Sequence, residues 1–149
     1  MEQSTRTPVH LWIVGALSLL WNAFGGYDYT MTRTRGADYL KEMMPGTDPN
    51  TMMAYIDAFP MFAQVGWGLG VWGAVTGSIL LLMRHRFAVI AFAVSLIGAV
   101  LSLGYQMVGP PGPKGMSEGS MAVVPYVIIA LTIAQLLYAQ SMRTRGVLR

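Results

Sequence analysis

A chain of 149 residues that is 54 % hydrophobic and only 11 % charged falls far short of the roughly 25 % charged residues expected of a soluble domain. Its net charge of +3 comes from basic residues placed beside apolar runs, which reads as membrane topology rather than as a nucleic-acid surface. There is no cysteine, so neither a disulfide framework nor a thiolate metal site can form.

The first apolar run, Val9–Ala23, holds no Asp, Glu, Lys or Arg and becomes long enough to cross a bilayer by continuing through Gly25, Gly26 and Tyr27. A helix rises about 1.5 Å per residue, so about 20 residues cover the ~30 Å hydrocarbon slab. Arg6 followed by an apolar stretch has the look of a signal peptide, but Asn22-Ala23-Phe24-Gly25 is a poor cleavage site. The run is therefore read as a retained span over about residues 9–30. Gly15, Ser18, Asn22, Gly25 and Gly26 mark its contact face. Asn22 is its most deeply placed strongly polar residue, and with Asp28 and Tyr29 it defines a candidate polar pocket. The plainer reading, which we prefer, has Asn22 bonded to a neighbouring helix and Asp28 paired with Arg33 or Arg35.

Residues 31–60 form the first outer loop. Asp48-Pro49 predicts a helix start, with Asp as N-cap and Pro at the first helical position. Met52, Met53, Tyr55, Ile56 and Phe59 then follow as an apolar stripe ending at Pro60, and Ala37–Met44 predicts a further short turn of helix. Such a segment caps the bundle or lies on the membrane surface. Alternatively Met52, Tyr55, Ile56 and Phe59 form a docking face for a partner, since Met-rich surfaces adapt their shape.

The second and third runs, Met61–Met83 and Phe87–Val108, cross unaided. Gly77-Ser-Ile-Leu-Leu-Leu-Met83 and Phe87-Ala-Val-Ile-Ala-Phe-Ala-Val94 have no polar face, which a soluble bundle would need. Gly66, Gly70, Gly73 and Gly77 recur along one stripe and face a matching one of Ala91, Ser95, Gly98 and Ser102. Small residues let helices approach closely in lipid, so these two spans are predicted to form a tight pair through the Met83–Phe87 turn. The second outer loop, residues 109–120, is rich in Pro and Gly, which excludes helix there. A fourth run, Met121–Ala139, gives a span over about 121–140, with Thr132 and Gln135 as polar glue. The expected fold is thus an all-α integral membrane four-helix bundle, a single transmembrane domain over 1–149 with a short amphipathic helix in its first outer loop. Trp12, Trp21, Trp67 and Trp72 read as lipid-facing anchors or packing residues.

Arg6, Arg84, Arg86, Arg143, Arg145 and Arg149 fall on one side. Arg33, Arg35, Lys41 and Lys114 fall on the other, where they are diluted by Asp28, Asp38, Glu42, Asp48, Asp57 and Glu118. The positive-inside rule then puts both termini in the cytoplasm of a bacterial inner membrane.

The chemistry is sparse. His10 and His85 are the only histidines, and His85 sits between two arginines in a turn, which does not make a facing pair for haem. Met43, Met44, Met52, Met53 and Met61 lack the clustered spacing of a copper site and read as apolar filler. No hydrolase triad or phosphate loop is present, so no catalytic residue, metal ligand or cofactor site is assigned. The grooves leave room for a lipid, quinone or pigment.

The stretches Leu11-Trp-Ile-Val-Gly15, Leu19-Leu-Trp-Asn-Ala-Phe-Gly25 and Tyr27-Asp-Tyr-Thr-Met-Thr-Arg-Thr-Arg35, with Phe59-Pro60, Val71-Trp72-Gly73 and the Arg84–Arg86 turn, resemble small bacterial four-span membrane proteins, themselves uncharacterised and sometimes labelled sugar transporters. The resemblance implies the four-span topology and supplies no binding residue; the Pro/Gly-rich second outer loop departs from it. Small multidrug exporters match in size but rely on a buried glutamate in the first span, which this chain lacks. The leading expectation is a non-catalytic accessory subunit of a larger bioenergetic or transport complex, with lipid and other membrane subunits as partners. A transiently bound assembly factor would read the same way. The alternative is a small oligomeric transporter or channel lined by Asn22, Gln64, Tyr105 and Gln135.

Overall fold

The structure, a computed structural model, describes residues 6–149, and among them six α-helices and one 3-10 turn. Four helices are long and apolar enough to cross a membrane: α1 (Val9–Thr34), α4 (Met61–Leu82), α5 (Ala88–Val108) and α6 (Val124–Thr144). Two short helices, α2 (Ala37–Met43) and α3 (Pro49–Asp57), cover one end. The protein is a helical bundle of multi-pass membrane type.

α1 exceeds the expected span. Thr30 and Thr34 turn their hydroxyls back onto the carbonyls of Gly26 and Thr30, both at 2.7 Å, so their polar groups are consumed within the helix. The helix ends where Gly36 takes φ +54, a left-handed conformation that glycine adopts without Cβ strain. α6, by contrast, starts later than expected. Pro125 occupies its first turn, and Gly119–Ala122 before it winds as a 3-10 turn, so the Pro/Gly loop carries one turn of helix that its composition concealed.

α4 packs most extensively on α5, then on α1, while α6 leans on α5; α1 and α6 scarcely approach each other. The four spans therefore form an open arc in the order α1, α4, α5, α6. The tight α4–α5 pair is made by absent side chains. A Cβ added at Gly70 would lie 3.1 Å from the Ala99 nitrogen, and one at Gly73 would lie 3.0 Å from that of Ser95. Gly66 faces the Gly98 carbonyl and Gly77 the Phe92 ring, where a Cβ would stand 2.8 Å away in both cases. The Ser95 hydroxyl crosses the gap to the Gly70 carbonyl at 2.6 Å.

At the end that carries the α4–α5 turn, Leu11, Leu81, Ala88, Phe92, Ala139 and Met142 form a buried cluster. Val147 and Leu148 join it because Gly146, at φ +71, turns the chain back under the bundle. The Arg149 N–H then donates to the Arg84 carbonyl at 2.8 Å, and the Arg86 N–H to that of Arg149 at 2.9 Å. At the other end, Tyr39 and Leu40 of α2 and Met52 and Ile56 of α3 form a second cluster over Met31, Trp67 and Met116.

Candidate functional site

Most polar side chains in the spans are small, and three of them, Asn22, Ser78 and Gln135, converge. Asn22 sits at the middle of α1. Its Nδ2 donates to the Ser78 hydroxyl at 2.8 Å, to the Ala74 carbonyl at 3.2 Å and to Gln135 Oε1 at 3.2 Å. Ser78 passes its own proton to the Ala74 carbonyl at 2.8 Å. Because the Ala74 carbonyl can only accept, the Asn22 group facing it must be the amide N–H2, which fixes the orientation of the side chain. One asparagine thereby ties α1 to α4 and reaches across the arc to α6. In hydrocarbon no water replaces such bonds, so they favour the assembled helices.

The network leaves atoms over. Asn22 Oδ1, Gln135 Nε2 and the hydroxyls of Ser18 and Ser102 have no partner among the described residues. No sealed polar side-chain atom among those residues lacks a partner, so these four open onto unfilled space. Two such spaces exist beside them. A cavity of about 210 Å³ lies within the arc, with Asn22, Trp21, Trp67, Ser95, Ser102 and Thr132 among its walls. A shallower groove of about 400 Å³ runs between α1 and α6, past Leu17, Ser18, Trp21, Leu131, Gln135 and Tyr138.

The polar pocket of Asn22, Asp28 and Tyr29 is not assembled. Six residues of helix turn about 600°, which carries Asp28 well away from the face of Asn22. Asp28 accepts from the Tyr39 hydroxyl at 2.9 Å instead. Tyr29 returns to the Asn22 face but about 10 Å further along, where it stacks edge-on against Trp67 with ring centroids 4.8 Å apart. Nor does Asp28 take either arginine. Arg33 bridges to Asp57 at 3.6 Å, donates to Gln64 Oε1 at 3.3 Å and lies over the Trp67 ring. Arg35 grips Glu42, which holds that carboxyl below its usual range.

The docking face is likewise turned inward. Met52 and Ile56 are 1 % and 8 % exposed, spent on the chain's own bundle. Tyr55 donates to the Pro110 carbonyl at 3.2 Å, and Phe59 packs between Tyr55 and Tyr105. Asp48 caps α3 as expected, accepting from the N–H groups of Asn50 and Thr51. The Thr51 hydroxyl and those two amides hold its carboxyl below the usual range. Tyr39, buried and bonded to a carboxylate, has its phenol pushed up to about 12.

His10 bonds to the Tyr138 hydroxyl, and His85 Nδ1 accepts from the Phe87 N–H. Among the described residues no cluster of three metal-ligating side chains occurs. Gln64 spends its amide on the Phe59 and Asp57 carbonyls at the loop end, far in sequence from the Asn22–Gln135 pair. Ser78 is the member that hydropathy concealed, being one small residue in a long apolar run. Trp67 is partly buried rather than a lipid anchor, while Trp12, Trp21 and Trp72 are nearly half exposed.

Comparison with protein-family models, with curated proteins and with solved structures finds no match to this chain. The likeness to small four-span proteins thus rests on the residues that carry it.

Proposed function

We propose that the protein is a non-catalytic accessory subunit of a larger assembly, bioenergetic or transport, in a bacterial inner membrane with both termini in the cytoplasm. The observation that carries this reading is the flank left open between α1 and α6. In lipid a polar atom without a partner is costly, and this flank presents two, the Ser18 hydroxyl and Gln135 Nε2, beside exposed Leu17 and Leu131. A transmembrane helix of another subunit, carrying its own polar group, would satisfy both at the level of Leu17 and Leu131. The turned-in loop face leaves this flank as the better contact. A photo-crosslinking residue at Leu17 or Leu131, activated in native membranes, should give a protein adduct of defined mass. Adducts to lipid alone, together with no larger assembly in mild detergent, would defeat the proposal. Alkaline phosphatase inserted within residues 45–50 should be active, as the proposed orientation requires.

A small oligomeric transporter is the second reading, favoured by the cavity inside the arc. Its lining carries no ionisable side chain to couple transport to an ion. Flux in proteoliposomes that is lost on Asn22→Leu would bring it forward.

A further inference from the structure

The cavity within the arc has the makings of a ligand site independent of the flank. Ser102 is only 6 % exposed, its hydroxyl has no partner among the described residues, and it lines this cavity. Asn22, 8 % exposed, lines it too, with all its donor capacity engaged and Oδ1 unused. Ser95 and Thr132, by contrast, give their protons to backbone carbonyls. The remaining wall is apolar and aromatic, with Trp21, Phe24 and Trp67 around small Gly25, Gly70 and Ala99.

Size and chemistry together narrow the occupant. An apolar cavity of about 150 Å³ holds one benzene ring, so about 210 Å³ suits a single ring with a small substituent. A free asparagine carbonyl requires a donor on the ligand, which a ketone or ether does not have. The Ser102 hydroxyl can donate to the same ligand oxygen. The route in is lateral. Trp21 and Phe24 of α1 face Val124 and Ile128 of α6 across the gap where these helices do not pack, so a hydrocarbon tail can remain in lipid.

We propose that this cavity binds the ring-sized, hydroxyl-bearing head of a neutral amphiphile, with the hydroxyl donating to Asn22 Oδ1, a second polar contact at Ser102 and the tail leaving between α1 and α6. An uncharged head is required because the walls contain no ionisable group to pair with a charge.

The test uses the full chain in nanodiscs, 4-octylphenol as probe, and octylbenzene and 4-octylanisole as matched ligands without the hydroxyl proton. Binding is read by the change in tryptophan emission and by native mass spectrometry. The phenol should bind saturably, one per chain, and at least about fivefold tighter than either control, the scale of one neutral hydrogen bond. Ser102→Ala removes a hydroxyl that supports nothing else and should weaken the phenol severalfold while leaving octylbenzene unchanged. Gly25 lines the cavity and a Cβ there meets nothing within 4 Å. Gly25→Leu should therefore fold and abolish binding of all three. Equal affinity for phenol and octylbenzene, an unaltered phenol affinity in Gly25→Leu, or no saturable binding would overturn the site. The crosslinking result at Leu17 would stand in each case, because Leu17 lines the groove past Ser18 and Gln135 and is not part of this cavity's wall.

Discussion

A Cβ built on Gly98 would stand 2.5 Å from the carbonyl oxygen of Gly66, so α4 and α5 touch backbone to backbone at a point where Gly98 has no room for a side chain. The opposing atoms belong to a helix ladder and cannot swing aside as the end of a side chain could. In lipid this close approach is itself the attraction, because the tails are as apolar as leucine and only fit distinguishes protein from solvent. Gly98→Leu should accordingly destabilise the bundle by about 1–3 kcal/mol or more, read as the midpoint of unfolding in mixed detergent. Gly104 of the same helix meets nothing within 4 Å, and Gly104→Ala should be neutral or stabilising. Equal midpoints for Gly98→Leu and the parent would remove the backbone contact from the account.

The Asn22–Gln135 bond spans the gap that packing leaves open, at 3.2 Å and 113 residues apart in sequence. Polar pairs of this kind in membranes average about 0.6 kcal/mol and reach about 1.7. Asn22→Leu should cost more than Gln135→Leu, because it also strips a donor from Ser78 and from the Ala74 carbonyl. A double-mutant cycle on the two should give a coupling of about 0.5–1.5 kcal/mol. A coupling near zero would mean that the Asn22–Gln135 bond adds nothing to the hold on α6, which then rests on α5 and on the contacts of His10 and Leu11 with Tyr138, Ala139 and Met142.

Tyr39 gives a pH signature outside the spans. Its phenol is pushed up to about 12, first by burial and then by its bond to the Asp28 carboxylate. The folded state therefore holds this proton more tightly than the unfolded chain, whose tyrosine titrates near 10. The stabilisation is complete below about pH 10 and is lost as pH rises from about 10 through 12. Absorbance titration of the phenols should show one group ionising late, and Tyr39→Phe should delete that group and flatten the alkaline limb of the stability profile. If the late phenol persists in Tyr39→Phe, the assignment is wrong.

Arg33 joins three elements at once, with Asp57 at the end of α3, Gln64 in the first turn of α4 and the Trp67 ring under its guanidinium 5.1 Å from the centroid. Lysine offers a point charge without the planar fork that reaches all three. Both Arg33→Lys and Arg33→Ala should therefore shift Trp67 emission and raise amide exchange in α3, the alanine variant more. A Trp67 signal unchanged in both would show that the loop helices are held by their apolar contacts alone.

The spans were legible because hydropathy integrates over about 20 residues and tolerates local error. The α4–α5 contact was legible for a related reason: glycines at helical spacing record a close approach in the residues themselves. Asn22 was visible as an anomaly, but its partners were not. Ser78, 56 residues away, looks like any small residue of its run, and the pairing depends on how α1 and α4 are rotated about their axes. Grouping Asn22 with Asp28 and Tyr29 failed because nearness along a helix is not a shared face or a shared depth. The stripe of α3 marks an apolar face in the sequence, but amphipathicity states only that a face is buried, and here Met52 and Ile56 are buried by the chain's own bundle. The cavity lay beyond sequence altogether, since it arises from α1 and α6 standing apart.

Arg84 closes α4 in a conformation that suits glycine. Its φ is +58, and the flanking bonds, Arg84 N–H to Leu81 at 3.0 Å and His85 N–H to Leu80 at 2.8 Å, are those of a helix C-terminal cap with a left-handed residue. A non-glycine residue there costs about 1 kcal/mol, and Gly146, which ends α6 in the same way, carries none of that cost. What opposes replacement is one long bond from Arg84 Nε to the Val147 carbonyl at 3.4 Å. The backbone pairing of residue 84 with Arg149 does not depend on its side chain. Arg84→Gly should therefore leave the fold intact and raise the unfolding midpoint slightly, by less than about 1 kcal/mol. Arg84→Ala keeps the strain and loses the bond, so it should lower the midpoint. Should Arg84→Gly instead prove the more damaging of the two, the guanidinium contact with the returning tail outweighs the backbone strain, and the tail is anchored by its side-chain partner rather than by the buried Val147 and Leu148.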